Sequence, residues 1–353
     1  MGNGSPWRCH ARRGAVTIQS PPLAILPAAA SPARNPVRMN RRAFLQTSSA
    51  LTATALSSAT GRAAPADPRR MRVALVPGSI GVTVASQRES IDLARRHGFE
   101  AVEPRATELA AASPGEVQAL RAELAAAKLV WAATSLSVDF RKDDATFRSG
   151  LAELPRLAAG LRRAGADRIG TWIPPCHETL TYRPNFALHA SRLREVAVIL
   201  GDQGIRLGLE YVGTQLNLVA KRYPFVHTMA EARELIAEIG RPNVGLVLDT
   251  WHWWTAGDTE DEIRALKSSD IVSVDLNDAP RNVPKPQQKD GERELPLATG
   301  VIDTRVFMRA LHATGFDGPV RCEPFNKPLN ALDNDPACSA VSKAMHAAMA
   351  LIA

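Results

Sequence analysis

Cysteine is scarce in this chain: four in 353 residues, with no CxxC pair. Cys9 sits in the N-terminal segment, leaving Cys176, Cys322 and Cys338. An odd, widely spaced set excludes a disulfide framework and a thiolate-held structural zinc. No uninterrupted apolar run approaches the roughly 20 residues that cross a bilayer, so no membrane partner is expected. Asp, Glu and Lys are absent from residues 1–66, which carry 8 Arg. That gap explains the formal charge of +7, because residues 67–353 hold 35 basic against 36 acidic groups. A broad phosphate-tracking surface is therefore excluded, and no nucleic-acid partner is expected.

Residues 1–38 are rich in Ala, Pro and Arg, lack periodicity and precede an internal Met39. They read as a disordered extension or an over-long gene start, the second being favoured. From Met39 the text changes. Asn40-Arg41-Arg42-Ala43-Phe44-Leu45-Gln46 resembles a twin-arginine export signal, followed by a mild Ala/Thr/Leu stretch. Ala64-Pro65-Ala66 then offers a small-x-small cleavage site. Residues 39–66 are thus expected to be a signal peptide, 67–353 the mature domain, and the protein periplasmic or secreted.

Beyond residue 67, short apolar runs alternate eight times with amphipathic ones. Strands are expected at 71–76, 99–102, 129–135, 168–173, 206–211, 244–249, 271–276 and 320–323, each with a helix after it. Near-continuous apolar strands suit a parallel sheet covered by helices on its outer face. Pairs such as Gly98-Phe99 and Gly204-Ile205 look like helix C-caps feeding the next strand. An open doubly wound sheet would favour a Gly-rich dinucleotide turn after the first strand, whereas Pro77-Gly78-Ser79-Ile80-Gly81 is not GxGxxG. The expected fold is α/β, a single-domain (β/α)8 TIM barrel.

Barrel function sits at the C-terminal strand ends. Here those ends are Glu103, Ser135, Trp172, Glu210, Asp249, Asp275 and Glu323 on strands two to eight. One acidic strand end is ordinary, a solvated rim residue or a helix cap. Four on consecutive strands crowd like charges, which is costly unless a cation sits between them. Oxygen-rich ligation favours Mn²⁺ or Mg²⁺, with Co²⁺ or Zn²⁺ when an imidazole joins.

At these residues the sequence resembles the xylose-isomerase-like superfamily of sugar phosphate isomerases and epimerases. The matching text is Leu207-Gly208-Leu209-Glu210, Gly245-Leu246-Val247-Leu248-Asp249-Thr250-Trp251-His252 and Val274-Asp275-Leu276-Asn277-Asp278-Ala279-Pro280. Leu295-Pro296-Leu297-Ala298-Thr299-Gly300-Val301-Ile302-Asp303 and Arg321-Cys322-Glu323-Pro324-Phe325 complete it. The resemblance spans residues 71–353. It implies one divalent metal, Mn²⁺ first, held by Glu210, Asp249, the strand-seven residue and Glu323. The chain departs from the family at strand seven, where Asp275 stands in place of a usual His. Either Asp275 ligates and hardens the site, or three protein ligands remain with His252 or water. The family's chemistry implies that the metal polarises a carbonyl and eases formation of an enediolate. Glu210 and Glu323 then take and return the proton on the neighbouring carbon.

His252 matches a family substrate-binding histidine, set against the commoner reading of a lone polar core residue. Trp172 and Trp251 are expected to offer aromatic faces to a sugar or glycoside, though packing beneath helices would use them equally well. The loop after strand seven, from Asn277 to Thr299, is long enough for a lid, and Arg281 or Arg293 could hold substrate oxygens. Glu103 could bind a hydroxyl or form an inter-strand ion pair. The expected activity is isomerisation or epimerisation of a small sugar or keto-sugar. The alternatives are a lyase or dehydratase on a keto-sugar, inosose or glycoside, and a non-catalytic sugar-binding barrel. Related barrels often pair, which makes a homo-oligomer an expectation too.

Overall fold

The structure, a computed structural model, describes residues 71–352. The expected signal at 39–66 and the extension before it lie outside the described residues. Apart from a small antiparallel pair, Cys176–His177 with Tyr223–Pro224, the strands belong to one sheet with eight positions in chain order. They are β1 (Arg72–Leu75), β2 (Ala101–Val102), β3 in two pieces (Val130–Trp131 and Thr134–Ser135), β4 (Arg168–Ile173), β5 (Arg206–Tyr211), β6 (Val244–Asp249), β7 (Ile271–Leu276) and β8 (Pro319–Cys322). All neighbours in this sheet are parallel. The ladder runs from the first piece of β3 through β2, β1, β8, β7, β6, β5 and β4 to the second piece of β3. Its two ends are therefore consecutive stretches of one strand, which closes the sheet into a barrel. Ala132 donates to Val102 on one side, and Leu136 donates to Gly170 on the other. The expected (β/α)8 barrel is what forms.

Local sequence explains the outer ring. Helix α1 (Gln87–Arg96) starts at Ser86, whose hydroxyl accepts the Glu89 N–H. Helix α2 (Pro114–Ala126) starts on a reciprocal Ser113–Glu116 capping box with Pro114 in its first turn. Asp143 caps α3 (Asp144–Ala164), which ends on Gly165 at φ +86°, a conformation that only glycine adopts cheaply. Helix α4 (Tyr182–Asp202) carries Pro184 in its first turn, where no N–H is needed. Short helices not foreseen include Ala106–Ala111 after β2 and Thr250–Ala256 directly after β6. The helix at Thr250–Ala256 matters for the site: Asp249 closes the strand and caps it, its Oδ1 accepting the Trp251 N–H at 2.7 Å.

Apolar side chains of the strands and helices pack into one continuous core between the two layers. Inside the barrel the floor is small and mixed. A Cβ on Gly208 would lie 2.6 Å from Val247, so the glycine is what lets the Val247 side chain fill that level. Above this floor the strand ends are polar. The segment after β7 folds back over them because the Asp278 carboxylate accepts four backbone N–H groups, from Ala279, Thr299, Gly300 and Ile302, at 2.7–3.0 Å. That ring of bonds fixes a closed loop and returns residues 290–293 to the barrel mouth.

Candidate active site

The strand ends surround a cleft of about 440 Å³. One carboxylate oxygen from each of Glu210, Asp249, Asp275 and Glu323 lies within 4.8 Å of the others. Parallel register produces this. Asp275 stands beside Asp249 on one side and beside Arg321 on the other, and laterally paired residues share a face. A second group with the same mutual reach joins Glu210, Asp249 and His252.

The four carboxylates have unequal surroundings. Asp249, fully buried, accepts from both sides: Asn277 Nδ2 reaches Oδ1 and Oδ2 at 3.0 and 3.1 Å, and Arg293 Nη1 reaches Oδ2 at 2.8 Å. Burial still pushes its pKa up to about 7, against the pull of Arg293. Asp275 is gripped end-on by Arg321, with Nε to Oδ1 at 2.6 Å and Nη2 to Oδ2 at 2.7 Å. Glu323 lies between two guanidiniums, Arg321 at 3.1 Å and Arg293 at 3.6 Å, and its own N–H is held by Asn277 Oδ1. Its pKa is raised by burial, with Arg321 opposing. Among the described residues Glu210 has no guanidinium partner. Its buried Oε1 finds no hydrogen-bond donor, and burial, reinforced by Glu323, Asp275 and Asp249, lifts its pKa well above the ordinary carboxylate range.

Two side chains from the loop after β7 complete the wall. Arg293, almost wholly buried, binds Asp290 at 2.7 Å as well as Asp249, and its guanidinium stays charged because these carboxylates outweigh its burial. Asp290 is tied in turn to Asn217 at 3.1 Å. His252 meets the Gly213 N–H with Nδ1 at 3.3 Å, and its Nε2 faces Arg293 Nη2 at 3.3 Å, Asp290 at 3.7 Å and Glu210 at 4.0 Å. Burial and the Arg293 charge hold the imidazole neutral, its pKa down to about 3. A Cβ on Gly213 would meet the His252 carbonyl at 2.5 Å, so the close approach requires glycine.

Five carboxylates thus face two guanidiniums, an excess of negative charge in a buried place. The orphaned Glu210 oxygen, together with Asp249 and Glu323, makes an all-oxygen donor set that fits a hard divalent cation.

The other expected residues divide. Trp172 lines the cleft, 47% exposed, its ring covered by the Arg141 guanidinium at 4.5 Å. Trp251 is completely buried beneath Arg293 and does not reach the cleft. Arg293 lines it; Arg281 turns away and donates to the Thr299 carbonyl. Glu103 accepts a 3.4 Å bond from Thr134, and burial raises its pKa. Sequence reasoning passed over Arg321, Asp290, Asn277 and Arg141. The first had a signal: two residues before Glu323, strand period two puts it on the same inward face. Asp290 and Arg293 share a turn of the loop, which no strand or helix periodicity marks.

The family model of the xylose isomerase-like TIM barrel matches residues 91–345. The chain belongs to that family. Among curated proteins it is 28% identical over 151 residues to the inosose isomerase of Bacillus subtilis (strain 168), covering 43% of this chain and 51% of that protein. It is 31% identical over 140 residues to the ketose 3-epimerase of Arthrobacter globiformis, covering 39% and 41%. The chain thus spans about half the length of the curated relatives it matches, or less. A solved xylose isomerase domain protein from Alicyclobacillus acidocaldarius superposes with TM-score 0.69 at 30% identity, covering 80% of this chain and 99% of that one.

Proposed function

We propose that this protein is a metal-dependent isomerase or epimerase of a sugar or keto-sugar derivative. The observation that carries the reading is the carboxylate ring with one buried Glu210 oxygen left without a donor. Similarity to an inosose isomerase and a ketose 3-epimerase supports the substrate class. Glu210, Asp249 and Glu323 would hold the ion, Mn²⁺ best matching the donors, and when bound it supplies positive charge to a substrate carbonyl. Glu323, set between two guanidiniums, is the carboxylate that takes the proton from the carbon beside that carbonyl, while the bond's electrons move to the carbonyl oxygen. Glu210 returns a proton to the opposite face, and each transfer contributes roughly 10²–10⁴-fold. Neutral His252 lines the cleft beside the substrate, Arg293 holds Asp249 and Glu323 in place, and Trp172 covers the C–H face of the sugar. Export remains part of the proposal, carried by the Arg41-Arg42-Ala43-Phe44-Leu45 run.

The test is a panel of ketoses and inososes in D₂O with Mn²⁺, followed by NMR. Deuterium should enter at the carbon next to the carbonyl with the native enzyme and not with Glu323→Gln. Turnover without solvent deuterium would contradict proton transfer, and loss of water from the product would move the enzyme to the lyases, which begin with the same proton removal.

A further inference from the structure

We infer that Asp275 is not a metal ligand in this chain but the anchor of Arg321, which stands as a fixed cation beside a three-carboxylate metal site and offers a donor to the substrate. The inference rests on the metal reading above. Register pairs Asp275 directly with Arg321 across β7 and β8, so both side chains enter the barrel together. The two bonds, 2.6 and 2.7 Å, use both carboxylate oxygens against the matching fork of the guanidinium, the strongest geometry available to such a pair. Asp275 has no exposed surface. Both Asp275 oxygens lie against the Arg321 guanidinium, whereas Glu323 meets it through one oxygen, so a cation drawn onto Asp275 would sit closest to that like charge.

The pair therefore cancels its own charge and leaves the ligation to Glu210, Asp249 and Glu323. Arg321 Nη2 also reaches Glu323 Oε1 at 3.1 Å, orienting that carboxylate. Its Nη1 makes no hydrogen bond to another described residue, and the side chain lines the cleft, 19% exposed. A guanidinium N–H held this rigidly suits a ketone or hydroxyl oxygen that gathers negative charge as the proton leaves. An oxyanion donor thus takes the place where a fourth ligand would otherwise approach.

The test is calorimetric titration of Mn²⁺ into metal-stripped protein, which needs no turnover. Asp275→Asn/Arg321→Gln removes both charges of the pair and should bind one equivalent within about threefold of native affinity. Glu210→Gln should bind about a hundredfold more weakly or worse. A double variant that loses Mn²⁺ as Glu210→Gln does would overturn the inference alone. A native protein that takes up no Mn²⁺ would overturn the metal reading and the inference with it. With metal retained, the double variant should show a KM for the keto-sugar raised about tenfold, and an unchanged KM would remove the donor role of Arg321. A crystal of the native protein with Mn²⁺ gives a check that needs no variant to fold. Asp275 should remain on Arg321, and an Asp275 oxygen at a metal-bonding distance of roughly 2.0–2.6 Å would refute its exclusion.

Discussion

Arg293→Met isolates the charge that holds the mouth of the barrel together, because methionine keeps much of the buried aliphatic volume. Arg293 is 2% exposed and bridges Asp249, Asp290 and the backbone of Glu323 at 2.7–3.2 Å. Removing one partner of a buried ion pair costs about 3–5 kcal/mol, since the remaining carboxylates stay desolvated. An unfolding entropy of about 2.1 cal/mol/K per residue over about 280 residues gives roughly 0.6 kcal/mol/K. The metal-free variant should therefore melt about 5–8 °C below the metal-free native protein. Differential scanning calorimetry at pH 7 measures this, and because the pair is buried the gap should survive 0.5 M salt. Adding Asp249→Asn should recover part of the loss, as expected for residues in contact. A fall of less than about 1 °C would show that the pairing carries little energy and that the loop is held by Asp278 alone.

Metal-free protein should lose stability as pH rises. Carboxyl groups whose folded pKa is raised contribute stability below the unfolded pKa and lose it on passing the folded one. For Asp249 that window runs from its ordinary value of 3.8 to about 7, and Glu210 extends it in the same direction. Thermal melts from pH 5 to 8 should show the decline, with a shallower slope in Glu210→Gln and in the Mn²⁺-loaded protein; a rising slope would contradict the charge distribution. Trp172→Ala, at a half-exposed rim position, should raise KM about tenfold while Tm moves by no more than about 2 °C, measured by steady-state kinetics and calorimetry. Equal losses of kcat and Tm would assign the ring to packing instead.

The barrel was legible because its eight apolar runs and the polar text between them carry the two periods that backbone geometry imposes. β4 to β7 fall where the apolar runs place them, and β8 one residue early. β3 splits at Ala132-Ala133, where the sheet changes partners, something no local pattern encodes. The carboxylates of β5 to β8 were legible as strand ends. Their pairing was not, since the Asp275–Arg321 bond depends on register between strands 46 residues apart. Likewise Trp251 looked like a sugar platform on its strand end, but the tight turn from Asp249 into the helix at Thr250–Ala256 drives it into the core. Arg293 and Arg281 were indistinguishable as loop arginines. Only the closure of that loop on Asp278 decides that one enters the cleft and the other meets Thr299.

Stepwise addition of Mn²⁺ to metal-stripped enzyme, with solvent deuterium incorporation followed at each step, addresses the ring of carboxylates most directly. Exchange should climb from nothing, break at one equivalent per chain, and be absent throughout in Glu210→Gln. Full exchange in the stripped protein, or a break at any other ratio, would contradict a single cation held by Glu210, Asp249 and Glu323.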